Sequence, residues 1–440
     1  MMDKTNEKLL NFLRESVSPF HAVENMLQQL LEQGYTQLLE GNPWILEKGG
    51  KYVTTRNGSS ILAFQIGDVL DDVHFQVSAT HSDSPTFCVK EKAELTGIGG
   101  YIQLNTEPYG GMIAATWFDR PLSLAGRVVV KEKGEIVSKL VNINKDLLVI
   151  PNVAIHMNRE VNKGINLNSQ IDMLPLFSAG EAKTNDYYHL LAQYANVEAK
   201  DIYSSDMQLY NRNEPTLWGV KNEFISAQRL DNLQCSFATL QGFMKANNPH
   251  AINVFACFDN EEVGSATKQG AGSTYLYDTL KRITHSLHLG KDAYYAAIAK
   301  SFMLSCDNAH ALHPNHPEKT DKENYALMNK GLVIKHSANQ KYTTDAQSCA
   351  IFEDICAHAN VPLQHFSNRS DMLGGSTLGN ISSTKVSMSS VDVGLAQLAM
   401  HSAYETAGSK DSAYLIKACE VFFNANIQIK DPTHISIRYK

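Results

Sequence analysis

The sequence predicts an α/β fold, a layered helix-and-sheet domain carrying an inserted β-rich module. Three observations lead there. Beyond about residue 221, helical and strand-like segments alternate: DNLQCSFATLQGFMKA reads as helix, AINVFACF as strand, and YYAAIAKSFMLSCD as helix running into strand. That alternation is the pattern of helices layered on a sheet. From about residue 90 to 220 the texture shifts to β-branched and glycine-rich runs such as TGIGGYIQL, YGGMIAATWF and LAGRVVV, with YHLLAQYANVEA as a helix candidate. The chain has 440 residues, 43% of them hydrophobic, enough for one large domain or two ordinary ones with a real core.

The opening stretch MMDKTNEKLLNFLRESVSPFHAVENMLQQLLEQ reads as two amphipathic helices broken at Ser18-Pro19. Proline disfavours helical backbone in the residue before it. SSILAFQIG and VHFQVSAT then read as short apolar strands. The simplest parsing gives residues 1–89 and 221–440 to the layered domain and 90–220 to the insertion.

Composition excludes several classes. Lys plus Arg number 39 against 46 for Asp plus Glu, a formal net charge of −7, which argues against a general nucleic-acid or membrane-surface binder. The seven cysteines, Cys88, Cys235, Cys257, Cys306, Cys349, Cys356 and Cys419, are scattered and form no CxxC pair. Free thiols in a reducing compartment fit them better than disulfides or a structural zinc knot. No apolar run approaches the roughly 18 residues that span a bilayer, and the expected location is the cytoplasm.

Four polar clusters each follow a strand or open a helix. HFQVSATHSDSP runs a strand into His81 and Asp83; QRLDNLQCSFATL puts Asp231 at a helix start; INVFACFDNEEVGS ends a strand in Glu261 and Glu262; FMLSCDNAHALHPNH ends another in Asp307, followed by His310 and His313. In an open α/β sheet, ligands bind beyond the carboxyl ends of the strands. His with carboxylates, and no Cys, suits Zn, Mn or Co in a hydrolytic site. Two adjacent metals need a bridging carboxylate, for which Asp231 is a candidate. Of the neighbours Glu261 and Glu262, one side chain can bind metal while the other acts as general base; Asp83 is placed to hold the His81 ring from behind. Taken singly, each has a plainer reading. His81 suits a loop, Asp231 and Asp307 suit helix caps, and the Glu pair suits a helix first turn.

With those residues in view, the chain resembles the aspartyl aminopeptidase family of co-catalytic zinc metallopeptidases over nearly its whole length. The matching blocks are HSDSP at His81, YGG with TWFDRPLSLAGRVVV, QRLDN at Asp231, DNEEVGS at Asp259, SCDNAHALHPN at Asp307, KGLVIK ending at Lys335, and QLAMHSAYE around His401. The resemblance implies two zinc ions per subunit, with Co or Mn as substitutes. His81 and Asp307 would hold one, Glu262 and His401 the other, and Asp231 would bridge them. Glu261 would be the base and Asp83 the supporting acid. His401 lies in LAQLAMHSAYETA, which reads as an amphipathic helix, so its role rests on the resemblance alone.

The resemblance further implies an insertion that builds dimers, a tetrahedral dodecamer, and a His156 that reaches into a partner's active site. It implies release of single N-terminal residues from peptides, acidic ones preferred. His310, His313, Lys335, Asp371, Gly374 and Gly375 would line the substrate pocket, Asp371 pairing with Lys335 or the substrate amine. The rivals are the same chemistry with neutral or broad specificity, a dipeptidase, and a catalytically silent assembly protein.

Overall fold

A computed structural model describes residues 2–439. Its centre is a nine-stranded sheet. Across the sheet the strands run Thr36–Gln37, Lys51–Arg56, Ser60–Ile66, Ile252–Phe258, Phe75–His81, Phe302–Cys306, Ser389–Gly394, Leu332–His336 and Leu363–Ser367. The four middle strands from Ile252–Phe258 to Ser389–Gly394 pair in parallel. They are buried on both faces, which is why their sequences read as unbroken apolar runs.

Alternate side chains of one strand feed two separate cores. From Ile252–Phe258, Phe255 and Cys257 join a core built with the N-terminal helices and the helices Leu230–Lys245, Ala346–Ala359 and Asp411–Asn424. Val254, Ala256 and Phe258 join the other, with the helices Tyr275–Ser286 and Ala293–Ala299. The result is three layers, helix, sheet and helix. The N-terminal helices Met2–Glu15 and Pro19–Glu32 break where expected, with Ser18 capping the second by accepting a bond from the His21 amide.

The middle of the chain forms a six-stranded antiparallel sheet with its own core, in the order Glu135–Asn142, Leu122–Glu132, Ile202–Asn211, Thr86–Thr96, Ile102–Tyr109 and Leu176–Ser178. The helix Asp186–Ala195 packs into that core through Tyr187 and Leu191. These strands run from Thr86 to Asn211. Thr216–Trp218, inside the expected 90–220 stretch, pairs instead with Phe224–Ala227 in a five-stranded sheet completed by Glu405–Gly408, Ala396–Leu398 and Ala309–His310.

That last sheet corrects one expectation. LAQLAMHSAYETA is not a helix but two strands, Ala396–Leu398 and Glu405–Gly408, joined by a turn carrying His401. Ala399 and His401 both take positive φ, 54° and 67°, which right-handed helix excludes. The strand pairings and the buried Gln397–Glu405 contact outweigh the apolar spacing. Among the described residues no helix is long and apolar enough to cross a membrane.

Candidate metal centre

Neighbouring strands deliver the polar clusters to one edge of the central sheet. His81 ends its strand directly opposite Phe258, after which the chain turns through Asp259 to Glu261 and Glu262. On the other side of the His81 strand, Cys306 ends Phe302–Cys306 and Asp307 follows. Asp231 comes from the start of the helix Leu230–Lys245, where Asp231 and Asn232 depart from helical backbone (ψ 108° and 21°). Its position is set by three bonds: Asn232 Nδ2 donates to Cys306 O at 2.8 Å, Ser84 Oγ to Asp231 O at 2.6 Å, and the Asp231 amide to Glu405 Oε2 at 3.0 Å.

The five candidate ligands converge on Asp231. His81 Nε2 lies 3.5 Å from Asp231 Oδ1 and 3.5 Å from Asp307 Oδ1. His401 Nε2 lies 3.5 Å from Asp231 Oδ2 and 3.3 Å from Glu262 Oε2. These separations exceed a good N–H···O bond of about 2.7–3.2 Å. They match neighbouring donors around one cation with bonds of about 2.0–2.2 Å. Asp231 Oδ1 and Glu262 Oε1 are buried without any hydrogen-bond partner, a costly state for a carboxylate unless a cation takes the lone pairs. The donor set fits a pair of divalent metals, one beside His81, Asp231 and Asp307, the other beside Asp231, Glu262 and His401. Glu261 lies in a third group with His81 and Glu262.

Behind the ligands sit the groups that aim them. His401 Nδ1–H donates to the Gly111 carbonyl at 2.6 Å, leaving Nε2 for metal, and its amide donates to Glu405 Oε1 at 2.7 Å. Asp83 does more than support His81, whose Nδ1 donates to the Asp83 carbonyl at 3.1 Å and lies 3.4 Å from Asp83 Oδ1. Its carboxylate accepts the amides of Glu261 and Glu262, both at 3.1 Å, and the Tyr109 hydroxyl at 2.6 Å. One buried carboxylate thus fixes the turn that carries both glutamates. Asn260 tightens that turn with φ 61° and donates to Tyr109 Oη at 2.8 Å.

The electrostatics follow from crowding. Burial pushes the Glu261 carboxyl up to about 8, with Asp307, Asp83 and Asp231 adding to the rise and His81 opposing it. Burial and the nearby Asp231 charge hold Glu262 well above the usual range. Burial would lift Asp231 too, but the neighbouring His401 and His81 imidazoles bring it below the ordinary value. Burial opposes the charged form of His81, yet Asp231, Asp307 and Asp83 raise its pKa well above 6.5.

The substrate-pocket candidates divide. His310, His313, Gly374 and Gly375 line one cavity of about 260 Å³, together with Lys319 and Arg369. Lys335 is buried instead against Asp307: its Nζ donates to Asp307 O at 2.9 Å and lies 3.6 Å from Asp307 Oδ2. Asp371 does not pair with Lys335. It forms a two-pronged, exposed ion pair with Arg369, at 2.8 and 2.5 Å, because a guanidinium two residues away matches a carboxylate fork. His156 lies in a turn of the irregular stretch 151–173 and is exposed, outside the cluster.

Sequence reasoning missed Tyr109, Gly111, Arg369 and Glu405. The YGG block pointed to the first two, since Tyr109, Gly110 and Gly111 form it. Glu405, buried and pushed up to about 8 by burial and the Asp231 charge, had no signal beyond the matching QLAMHSAYE block.

Comparison with known proteins gives the same family throughout. The aminopeptidase I zinc metalloprotease (M18) profile matches residues 12–423. The chain is 46% identical over 429 residues to the probable M18 family aminopeptidase 2 of Clostridium novyi, covering 96% of this chain and 99% of that one. It is 45% identical over 424 residues to its namesake from Clostridium acetobutylicum, covering 95% and 98%. Among solved structures, the Ape4 and Nbr1 complex superposes with a TM-score of 0.92 at 35% identity, covering 96% of this chain and 86% of that one. The mApe1 of Chaetomium thermophilum superposes at 0.87 and 29%, covering 96% and 98%. The chain belongs to the M18 family of zinc metallopeptidases and is an aminopeptidase.

Proposed function

We propose that the Asp231 cluster binds two zinc ions and releases single N-terminal residues from peptides, acidic residues preferred. The observation that carries this reading is the Asp231 carboxylate itself. Each of its oxygens lies 3.5 Å from a different imidazole, His81 on one side and His401 on the other, the arrangement expected of a ligand shared by two cations. His81 and Asp307 complete one half, Glu262 and His401 the other. Cobalt or manganese suits the same nitrogen and oxygen donors.

When bound, the two cations supply Lewis acidity toward the scissile carbonyl and lower the pKa of an adjacent water. The rest is done by the chain. Glu261, grouped with His81 and Glu262, accepts the proton of the attacking water and returns it to the leaving amine. Asp83, through the two backbone amides it accepts, holds Glu261 toward the reacting atoms and Glu262 toward the metal.

An acidic N-terminal side chain needs compensating charge. We assign that role to Lys319 at the cavity lined by His310, His313, Gly374 and Gly375, with Lys335 acting from behind Asp307. His156 is a candidate second donor for a partner's site. Its stretch of chain also carries Val153, Ile155, Met157, Ile165 and Ile171, all exposed in the isolated chain, and exposed apolar residues of this kind suit burial between subunits. The inserted module is the dimerisation surface in this reading, and a dodecamer like that of yeast mApe1, 26% identical with a TM-score of 0.83, is the inferred assembly; the tetrahedral arrangement rests on family resemblance.

The test is hydrolysis of matched Asp-, Glu-, Leu- and Ala-initiated peptides by chelated protein given back Zn, Co or Mn. The expected result is metal-restored cleavage that favours Asp and Glu. Cleavage favouring Leu would overturn the acidic pocket while keeping the metal chemistry, and no cleavage with any metal would overturn both.

A further inference from the structure

We propose that His336, Cys349 and His365 form a separate binding site for a divalent cation of the zinc type, on the face of the central sheet opposite the Lys335 side chain. Their donor atoms all lie within 4.8 Å of one another.

The fold brings them together by register. His336 ends the strand Leu332–His336, and His365 lies in the parallel edge strand beside it, opposite Ile334. Residues two apart share a face, so His336 and His365 emerge on the face of Ile334. That face is covered by the helix Ala346–Ala359, whose Ile351 and Ile355 share a core with Ile334. Lys335, between Ile334 and His336 in sequence, emerges on the opposite face and reaches Asp307. Cys349 and Glu353 stand one turn apart on the helix, on the side turned to the two histidines.

The chemistry is that of a metal site. The imidazoles face each other with His336 Nε2 3.0 Å from His365 Nδ1, so at most one proton fits between them and a lone pair is left pointing inward. His365 Nε2 lies 3.3 Å from Glu353 Oε1. With Nδ1 on a cation, the Nε2–H of His365 would face Glu353, as in the carboxylate-backed histidine common at zinc sites. Cys349 Sγ, 3.6 Å from the same Glu353 oxygen, supplies the thiolate, its proton passing to solvent on binding. Two imidazoles and a thiolate select zinc or copper over calcium or magnesium. His336 and Cys349 are half-buried and His365 is exposed, so an ion enters from solvent. Small rotations of the exposed His365 ring close the donors to the spacing set by bonds of about 2.0–2.3 Å. A bound ion would tie the sheet's edge strand to the helix that covers it.

The test is titration of the chelated full-length protein with Co2+. The Asp231 cluster has only oxygen and nitrogen donors, so a thiolate-to-cobalt charge-transfer band reports the new site alone. The expected band is present in wild type and in His81→Ala, and absent from Cys349→Ser and weakened in His365→Gln. Zinc-equilibrated wild type should also retain one metal equivalent more than Cys349→Ser, whose peptidase activity stays unchanged. No band in wild type, or a band undiminished in Cys349→Ser, would overturn the proposal.

Discussion

The two halves of the Asp231 cluster are held by different means. His81 and Asp307 sit at the ends of adjacent parallel strands, and their side chains are 1% and 12% exposed. Sheet register alone brings them together. His401 belongs to a left-handed turn in a separate sheet, its side chain is 31% exposed, and it is aimed by bonds to Gly111 and Glu405. One half is therefore a product of the core. The other depends on a few hydrogen bonds, one of them reaching into the inserted module. A metal centre assembled this way should fail differently on its two sides.

The largest effect is expected where the halves meet. Asp231→Ala should remove metal from both halves and reduce turnover to background, read by elemental analysis of zinc-equilibrated protein alongside peptide hydrolysis. Retention of full metal content would break the view of Asp231 as the shared ligand.

The next comparison separates the halves. His81→Ala leaves Asp83, Asp231 and Asp307 buried without their common partner, and breaking a buried charge pair costs about 3–5 kcal/mol. The Tm of the metal-free protein should fall accordingly. His401→Ala should lower metal content and activity with a smaller fall in the metal-free Tm, because its side chain is 31% exposed against 1% for His81. Equal destabilisation by both would erase the distinction between core and loop.

Smaller effects should follow from the residues behind the ligands. Glu405→Gln presents an amide group to the backbone amides of Asp231 and His401; losing such support typically costs about 10–100-fold in metal affinity or activity. Tyr109→Phe removes one hydrogen bond to the Asp83 carboxylate, about 1.5–3 kcal/mol, and should lower Tm with a smaller loss of kcat than Glu405→Gln. Reversal of that order would place the more important support on the insertion's side.

The same contrast explains what could be read in the sequence. The layered sheet was legible because fully buried strands leave apolar runs that end abruptly in polar residues, and those endings named His81, Asp307 and the Glu261–Glu262 turn. Asp231 was legible as a helix start. His401 was not: its flanking apolar residues carry helical spacing, while its actual turn is fixed by Gly111 and Glu405, 290 and 4 residues away. Spacing records local periodicity, and contacts of that range leave no periodic trace. The Asp371–Lys335 pairing was misjudged for a related reason. The true partner of Asp371, Arg369, lies in the same short segment, but the sequence does not say which cation a loop carboxylate will meet.

The most direct test of the proposed mechanism is Glu261→Gln, measured for turnover and metal content together. Glu261 as general base predicts a loss of about 10²–10⁴ in kcat, with metal content and assembly unchanged. Full activity would contradict the assignment. So would a loss of metal in parallel with activity, which would make Glu261 a ligand beside His81 and Glu262.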